Sequence, residues 1–280
     1  MLSRCCCRFN PSPLTRIAHI SDIHFGRIAY ANDAQIDIVQ ALIDDINAAS
    51  VDLVVVSGDL TQRAFGHQFR AARRMLDAFD APTLVVPGNH DVFPWWRLLS
   101  RLFDPLRRYR KLISSDLNPR VELKDAVVVG INSAHGWTVQ GGRITASELD
   151  QIRHGFEGTA SGTARILVVH HHITKLTGLG DHDMVKGAEQ ARALVCEANV
   201  GLILSGHLHI DHVEMIEAEG NRYIVASCGT STSSRGRGKE GSVNLYNLIS
   251  IEGSAVDIET KRFNSAEQLY ATQSQQSFVR

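Results

Sequence analysis

Leu84-Val85-Val86-Pro87-Gly88-Asn89-His90-Asp91 decides how this chain is read. Leu84 to Val86 form a short apolar run of the kind that becomes a buried strand, and Pro87-Gly88 ends it abruptly, leaving Asn89, His90 and Asp91 in a tight loop at the strand's carboxyl end. Ligands of open α/β sheets bind at that edge. Taken alone, the loop reads equally well as a turn in which Asn89 and Asp91 bond their own backbone. Repetition decides between the two. Asp22 and His24 follow the run Ile17 to Ile20, Gly58-Asp59 follow Leu53 to Val56, His170 closes Ile166 to Val169, and Gly206-His207-Leu208-His209 follow Leu202 to Leu204. Five apolar runs therefore end in Asp, Asn or His, residue types that bind borderline divalent metals. Chance would scatter such residues along the strands.

Between these runs, strand and helix patterns alternate. A strand over Arg16 to Ser21 leads through Asp22-Ile23-His24-Phe25-Gly26 to a helix whose inner stripe is Ile36, Val39, Leu42 or Ile43, and Ile46. Leu53 to Ser57 is the next strand. A helix with Phe69, Ala72, Leu76 and Phe79 inward follows, ended by Asp80-Ala81-Pro82, and Thr83 to Val86 completes a βαβαβ unit with a parallel sheet. The second half repeats the theme. Strands over Ala126 to Asn132, Arg165 to Val169 and Leu202 to Ser205 alternate with a helix opened by the capping box Thr145-Ala146-Ser147-Glu148 and with a helix over Ala188 to Ala198. From Tyr223 onward, Tyr223 to Ser227, Val243 to Ile251 and Ala255 to Ile258 read as consecutive antiparallel strands on a second sheet, with Ser231 to Gly241 a mobile loop. The expected layout is an N-terminal tail over 1–14, one α/β domain over 15–262 and a polar, disordered tail over 263–280.

Composition narrows the function classes. Lys+Arg 29 against Asp+Glu 30 leaves a formal charge of -1, so no global basic field points to nucleic acid. No apolar run approaches the ~20 residues that cross a bilayer, and the N-terminal stretch lacks the apolar core of a secretory signal, which makes the cytoplasm the expected compartment. The five cysteines show no paired spacing. Cys5-Cys6-Cys7 lie in the tail, and Cys196 and Cys228 sit in apolar surroundings as small core residues.

A helical insertion is expected over 92–120, where Trp95, Trp96, Leu98, Leu99, Leu102 and Phe103 interleave with Arg97 and Arg101. Asp104-Pro105 reads as the N-cap and first residue of a second helix carrying Arg107, Arg108, Arg110 and Lys111. One reading is a lid or peripheral membrane contact through 95–113 at the inner membrane face. The other is a helix pair packed on the sheet with a solvated basic face.

The ligand types argue a chemistry. Asp22 and His24 put two donors on one loop, Asp59 is placed to bridge two ions, Asn89 offers a neutral oxygen, and His170, His207 and His209 add imidazoles. Seven side chains are too many for one ion and about right for a pair sharing Asp59. Two ions roughly 3.5–4 Å apart clamp a phosphorus centre for in-line displacement. His90 is then left free beside the site, with Asp91 placed to orient it. In the run His170-His171-His172, strand alternation turns His171 away, while His172 faces either substrate or solvent. His19 reads as a core residue, and Arg63 as either a substrate contact or an exposed arginine at a helix start.

The ordered set Asp22-Ile23-His24, Gly58-Asp59, Gly88-Asn89-His90-Asp91, His170 and Gly206-His207-Leu208-His209 resembles the calcineurin-like metallophosphoesterase superfamily over about residues 16–230. The resemblance implies a four-layer αββα sandwich of two mixed sheets flanked by helices. It implies one ion on Asp22, His24, Asp59 and His209 and another on Asp59, Asn89, His170 and His207, the ions being manganese, iron or zinc. It also implies that His90 contacts the phosphate and assists the leaving group. Length and lead motifs are most similar to bacterial cyclic-nucleotide phosphodiesterases of this superfamily, so the expected partner is a small phosphoester such as a cyclic nucleotide. A nucleotide-sugar lipid pyrophosphatase, a DNA-processing nuclease and a catalytically silent scaffold are the alternatives, and the filled ligand set argues against the scaffold.

Overall fold

Side-chain alternation along the strands divides the apolar residues into three layers, and that division is the architecture. The computed structural model describes residues 14–31, 36–138, 141–179, 182–218, 220–237 and 243–280. Cys5-Cys6-Cys7 and most of the N-terminal tail lie outside them, as does the end of the Ser231 to Gly241 loop. Strands β1 (Thr15–Ile20), β2 (Leu53–Val56) and β3 (Thr83–Val85) form a parallel core with helices α1 (Ile38–Ala48) and α2 (Gly66–Leu76) between them. A second sheet holds β4 (Arg120–Glu122), β5 (Ala126–Ile131), β6 (Ala164–Val169), β7 (Leu202–Ser205), β8 (His212–Ala218) and β9 (Asn221–Ser227), with α5 (Ala146–His154) and α6 (Ala188–Glu197) as crossovers.

One set of strand side chains, among them Ile17, Val55 and Val86 from the first sheet and Val128, Ile166 and Leu204 from the second, meets between the sheets. The alternate set faces outward. Ile20, Val54 and Val56 pack under α1 and α2, while Val129, Leu167 and Val169 pack under α5 and α6. Every strand buried on both faces must be apolar throughout, which is why the runs at β2, β5 and β7 are uninterrupted. Each large aliphatic side chain so buried contributes about 1.5–3 kcal/mol. The result is the four-layer sandwich of two mixed sheets.

The chain's end departs from expectation. The strands β10 (Leu245–Glu252), β11 (Ala255–Asn264) and β12 (Leu269–Val279) do not join the second sheet. They extend the first one in the order β12-β11-β10-β1-β2-β3, with β10 antiparallel to β1. β9 stays in the second sheet, parallel to β7. Nor do the residues after Phe263 form a disordered tail. Tyr270 is buried among Tyr246 and Phe263, and its hydroxyl donates to the Ser231 carbonyl at 2.6 Å. Polarity misled here because β12 is an edge strand, stabilised by ladder bonds to β11 more than by side-chain burial. Tyr270→Phe is expected to cost about 1 kcal/mol, read as a lower urea midpoint at unchanged slope. An unchanged midpoint would mean that this contact holds nothing.

The insertion is half packed and half exposed. Helix α4 (Arg107–Leu112) buries Leu106 and Tyr109 against the first sheet, the Tyr109 hydroxyl donating to Val85 O at 2.9 Å. Helix α3 (Leu98–Phe103) is fastened instead by Arg101, whose guanidinium donates to the carbonyls of Phe93, Gly136 and Thr138. Asp104 is the C-cap of α3 rather than the N-cap of the next helix, which begins at Arg107. Pro105 sits in the turn between them.

Candidate metal centre

Parallel pairing in register sets Ile20 beside Val56 and Val56 beside Val85, so the loops after β1, β2 and β3 leave one edge together. Val168 pairs with Leu204, and the loops after β6 and β7 do the same in the second sheet. The two edges meet. His207 N donates to Asp22 Oδ2 at 2.9 Å, and His170 Nδ1 donates to Ser57 O at 2.7 Å. The site therefore uses both sheets, with Asp22, His24, Asp59 and Asn89 from the first and His170, His207 and His209 from the second.

The loops hold strained backbone. Asp22, His24, Asp59, His207 and His209 all take φ from 49° to 73°. Left-handed geometry costs an L-residue about 1–2 kcal/mol, and five cases at one site mark where folding is subordinated to placing side chains. Two glycines allow the loops to close on one another. A Cβ on Gly88 would overlap the backbone and carboxylate of Asp59, and one on Gly206 would overlap the Ser21 hydroxyl.

Two donor groups share one oxygen. In the first, Asp22 Oδ1 stands 3.1 Å from His209 Nε2 and 3.6 Å from His24 Nε2, and the two imidazole nitrogens are 3.1 Å apart. In the second, Asn89 Oδ1 lies 3.3 Å from His170 Nε2 and 3.1 Å from His207 Nδ1. Asp59 Oδ2 sits between the groups, 3.6 Å from His24 Nε2 and 3.5 Å from His170 Nε2. Its other oxygen accepts from His90 N at 2.8 Å, which fixes the carboxylate's direction.

Second contacts settle which nitrogens point inward. His24 Nδ1 faces Thr61 O at 3.3 Å, His209 Nδ1 faces Arg235 O at 2.7 Å, and His170 Nδ1 faces Ser57 O. A carbonyl only accepts, so each Nδ1 carries a proton and each Nε2 is the atom turned toward the carboxylates. Nitrogens and carboxylate oxygens packed this closely repel unless positive charge, a proton or a metal ion, lies between them. Asp22 Oδ1 is buried without a hydrogen bond, as a ligand oxygen awaiting a cation would be. The residue clusters are thus compatible with a dinuclear metal site.

The charges point the same way. Burial would raise the Asp22 and Asp59 carboxyls, but the surrounding histidines outweigh it, led by His209 for Asp22 and by His170 for Asp59, and hold both well below the usual carboxylate range. Burial likewise opposes charge on His170, yet Asp59 overrides it and pushes that imidazole up to about 9. His207, buried beside His170, is pushed down to about 4. Two ionised carboxylates in a closed pocket call for positive charge, which protons on these imidazoles or metal ions in their place can supply.

Three sequence expectations need correction. His171 is not turned away, because β6 ends at Val169 and the alternation ends with it. Its ring lies 4.5 Å from that of His207, and its Nδ1 is 2.8 Å from Ser133 Oγ. His172 faces neither substrate nor solvent; it is buried, with Nε2 3.3 Å from Ser205 Oγ and its ring against His182. Asp91 does not orient His90. It accepts from Gly88 N, Leu60 N and both Thr61 donors, stapling the loop after β2 to the loop after β3. Burial and the nearby Asp59 push its carboxyl up to about 7.

His90 is held by other partners. Its Nδ1 donates to Gln62 O at 2.9 Å, and its Nε2 accepts from Arg235 Nη1 at 2.9 Å. Arg235 was hidden in a stretch read as a loop. That stretch is anchored, with Thr230 Oγ1 donating to Asp22 O, Ser231 N to Ser21 O and Thr232 Oγ1 to Ile23 O. The run Tyr223 to Ser227 ends in Cys228-Gly229-Thr230, so extending the strand-end rule to this strand would have found it. His19 and Cys228 are buried core residues, the former bonded to Ser57 Oγ at 2.9 Å. His212 pairs with Glu214 away from the cluster. Arg63 is exposed, 5.4 Å from the Trp96 ring, and lines a cavity with His90.

Known proteins resemble this chain to different extents. The 3′,5′-cyclic adenosine monophosphate phosphodiesterase CpdA of Haemophilus influenzae is 27% identical over 176 residues, which spans 62% of this chain and 59% of that protein. A probable cyclic nucleotide phosphodiesterase of Psychrobacter arcticus is 28% identical over 224 residues, covering 71% of this chain and 75% of its own. The purple acid phosphatase PPD1 of yellow lupin superposes with a TM-score of 0.73 at 12% identity over 96% of this chain and 54% of its own, a likeness of fold alone. The calcineurin-like phosphoesterase profile matches residues 15–211, a span that takes in all seven candidate ligands and His90. With that match over most of its length, the chain belongs to the calcineurin-like phosphoesterase family, whose members include phosphoester hydrolases.

Proposed function

We propose that this protein hydrolyses phosphodiesters with two divalent ions, 3′,5′-cyclic nucleotides being the favoured substrates. The position of Asp59 Oδ2, within 3.6 Å of a donor in each group, carries the reading, since one oxygen so placed suits a shared ligand. Asp22, His24, Asp59 and His209 would hold one ion, and Asp59, Asn89, His170 and His207 the other. Ions there would polarise a phosphoryl oxygen and lower the pKa of a bound water. The bond from His90 N to Asp59 Oδ1 aims the other carboxylate oxygen between the two groups. His90 presents Nε2 to the cavity because Gln62 O fixes a proton on Nδ1, and Nε2, once protonated in place of its bond from Arg235 Nη1, would be the atom that gives the leaving group its proton. The names of the bacterial relatives support the choice of substrate.

Metal analysis of protein purified without chelator should give two equivalents. Under manganese, kcat/KM on a 3′,5′-cyclic nucleotide should exceed that on a phosphomonoester by about tenfold or more. Equal rates would contradict the preference, and no hydrolysis at full metal content would contradict the reaction.

One observation favours a second reading, in which the substrate is an amphiphile such as a nucleotide-sugar lipid and the protein works at the inner membrane face. Trp95, Leu99 and Phe103 are 70%, 72% and 84% exposed beside basic side chains, and Trp95 lines the His90 cavity. No helix among the described residues is long and apolar enough to cross a membrane. Leu99→Asp/Phe103→Asp should abolish co-sedimentation with anionic vesicles on this reading; a parent that does not sediment with them removes it.

A further inference from the structure

Two separate cavities flank the paired donor groups, and one short segment supplies an arginine to each. The first, of about 210 Å³, is lined by Gln62, Arg63, Asn89, His90, Trp95 and Arg235 among others. The second, of about 300 Å³, is lined by Gly142, His171, Met184, His207 and Arg237 among others. Asn89 and His207, whose side chains touch, stand at the boundary between them. Each cavity is small for a whole drug-sized ligand, so each suits one part of a molecule centred on the donor groups.

The segment that carries the arginines is held by its backbone. Arg235 O accepts from His209 Nδ1 at 2.7 Å, and Arg237 N donates to His209 O at 3.1 Å. The loop therefore grips a candidate metal ligand from both sides while its side chains diverge. Arg235 reaches His90 Nε2 at 2.9 Å and Gln62 Oε1 at 3.3 Å. No carboxylate pairs with either guanidinium among the described contacts, and a half-buried arginine bonded to neutral acceptors suits an incoming anion.

We propose that Arg235-Gly236-Arg237 is a two-armed substrate clamp: Arg235 binds the phosphate on the His90 side and positions His90, and Arg237 binds the second ester arm in the cavity beside His207. The clamp rests on the phosphodiesterase reading and deepens it, because it assigns each ester arm a place. Hydrolysis of an open diester adds water across the P–O bond to the arm at His90, so the leaving alcohol, with its proton, departs past Arg235 and the retained ester stays with Arg237; a 3′,5′-cyclic nucleotide, whose two ester oxygens share one ribose, keeps the released hydroxyl on the same product. A monoester has no second arm and leaves the His207 cavity unfilled.

The test compares the holoenzyme with Arg235→Ala, Arg235→Lys and Arg237→Ala on bis(4-nitrophenyl) phosphate and 4-nitrophenyl phosphate, with metal content measured in each. Arg235→Ala should raise KM about tenfold on both esters, lower kcat, and weaken inorganic phosphate binding in calorimetry about tenfold. Arg235→Lys should restore most of the KM but not kcat, since a point charge replaces the fork that also holds His90. Arg237→Ala should lower the ratio of diester to monoester kcat/KM about fivefold or more. Should the alanine variants fail to fold, Arg235→Gln and Arg237→Gln carry the same expectations. Unchanged KM and phosphate affinity on loss of Arg235, or an unchanged ratio on loss of Arg237, overturns the clamp. A metal-loaded parent that cleaves neither ester overturns the phosphodiesterase reading instead, and the clamp with it.

Discussion

Asp59→Asn is expected to lower bound metal from two equivalents to one or fewer and to reduce kcat by about 10³-fold or more, the loss of several kcal/mol of transition-state charge stabilisation. The side chain's shape survives the change, and its Oδ1 position can still accept from His90 N. What disappears is the negative oxygen between His24 Nε2 and His170 Nε2. An amide that keeps its oxygen on His90 N turns an NH2, which has no lone pair to give, toward both groups, so a shared ligand is lost without a cavity or a clash. Inductively coupled plasma mass spectrometry and steady-state rates on the same sample decide it. Two equivalents with parental kcat would show that Asp59 is not shared.

The second large effect separates metal holding from proton handling. His90→Ala should keep its metals and lose about 10²- to 10⁴-fold in kcat on a substrate with a poor alcohol leaving group. The ring contacts Gln62 O and Arg235 but none of the donor atoms of either group at bonding distance, which is why the metals should stay. With 4-nitrophenolate as leaving group the loss should shrink, because that anion departs with little need of a proton. Equal losses on both substrates would assign His90 to phosphate binding alone, and a loss of metal would assign it to the cage.

Much of this was legible in the sequence because the fold repeats one device: an apolar run, then a turn, then a polar side chain at the strand's end. Asp22, Asp59, Asn89, His170 and His207 all obey it, and the structure brings them together. The device fails where the strand ends sooner than the polar run does. His171 follows that pattern, since alternation beyond Val169 no longer sets its direction. Asp91 was misjudged for another reason. Sequence adjacency to His90 suggests contact, but a one-turn 3₁₀ segment over Asn89–Asp91 sends the neighbouring side chains apart, and Asp91 turns inward to the Thr61 loop.

Longer-range pairing was less accessible. Nothing local distinguishes β10 pairing with β1 from β10 pairing with β9, because both partners are apolar and the choice rests on how the two sheets close around Ile249, Ile251 and Ile258. The strap from Thr230 to Arg235 was obscured by composition. Ser, Thr and Gly are typical of loops, yet here their hydroxyls satisfy the carbonyls of Asp22 and Ile23, which left-handed turns have removed from the ladder.

Anomalous scattering from crystals grown with manganese tests the central claim most directly. Two peaks about 3.5–4 Å apart are expected, one on either side of Asp59 Oδ2, the first bounded by Asp22, His24 and His209 and the second by Asn89, His170 and His207. A single peak, or peaks away from Asp59, would contradict it.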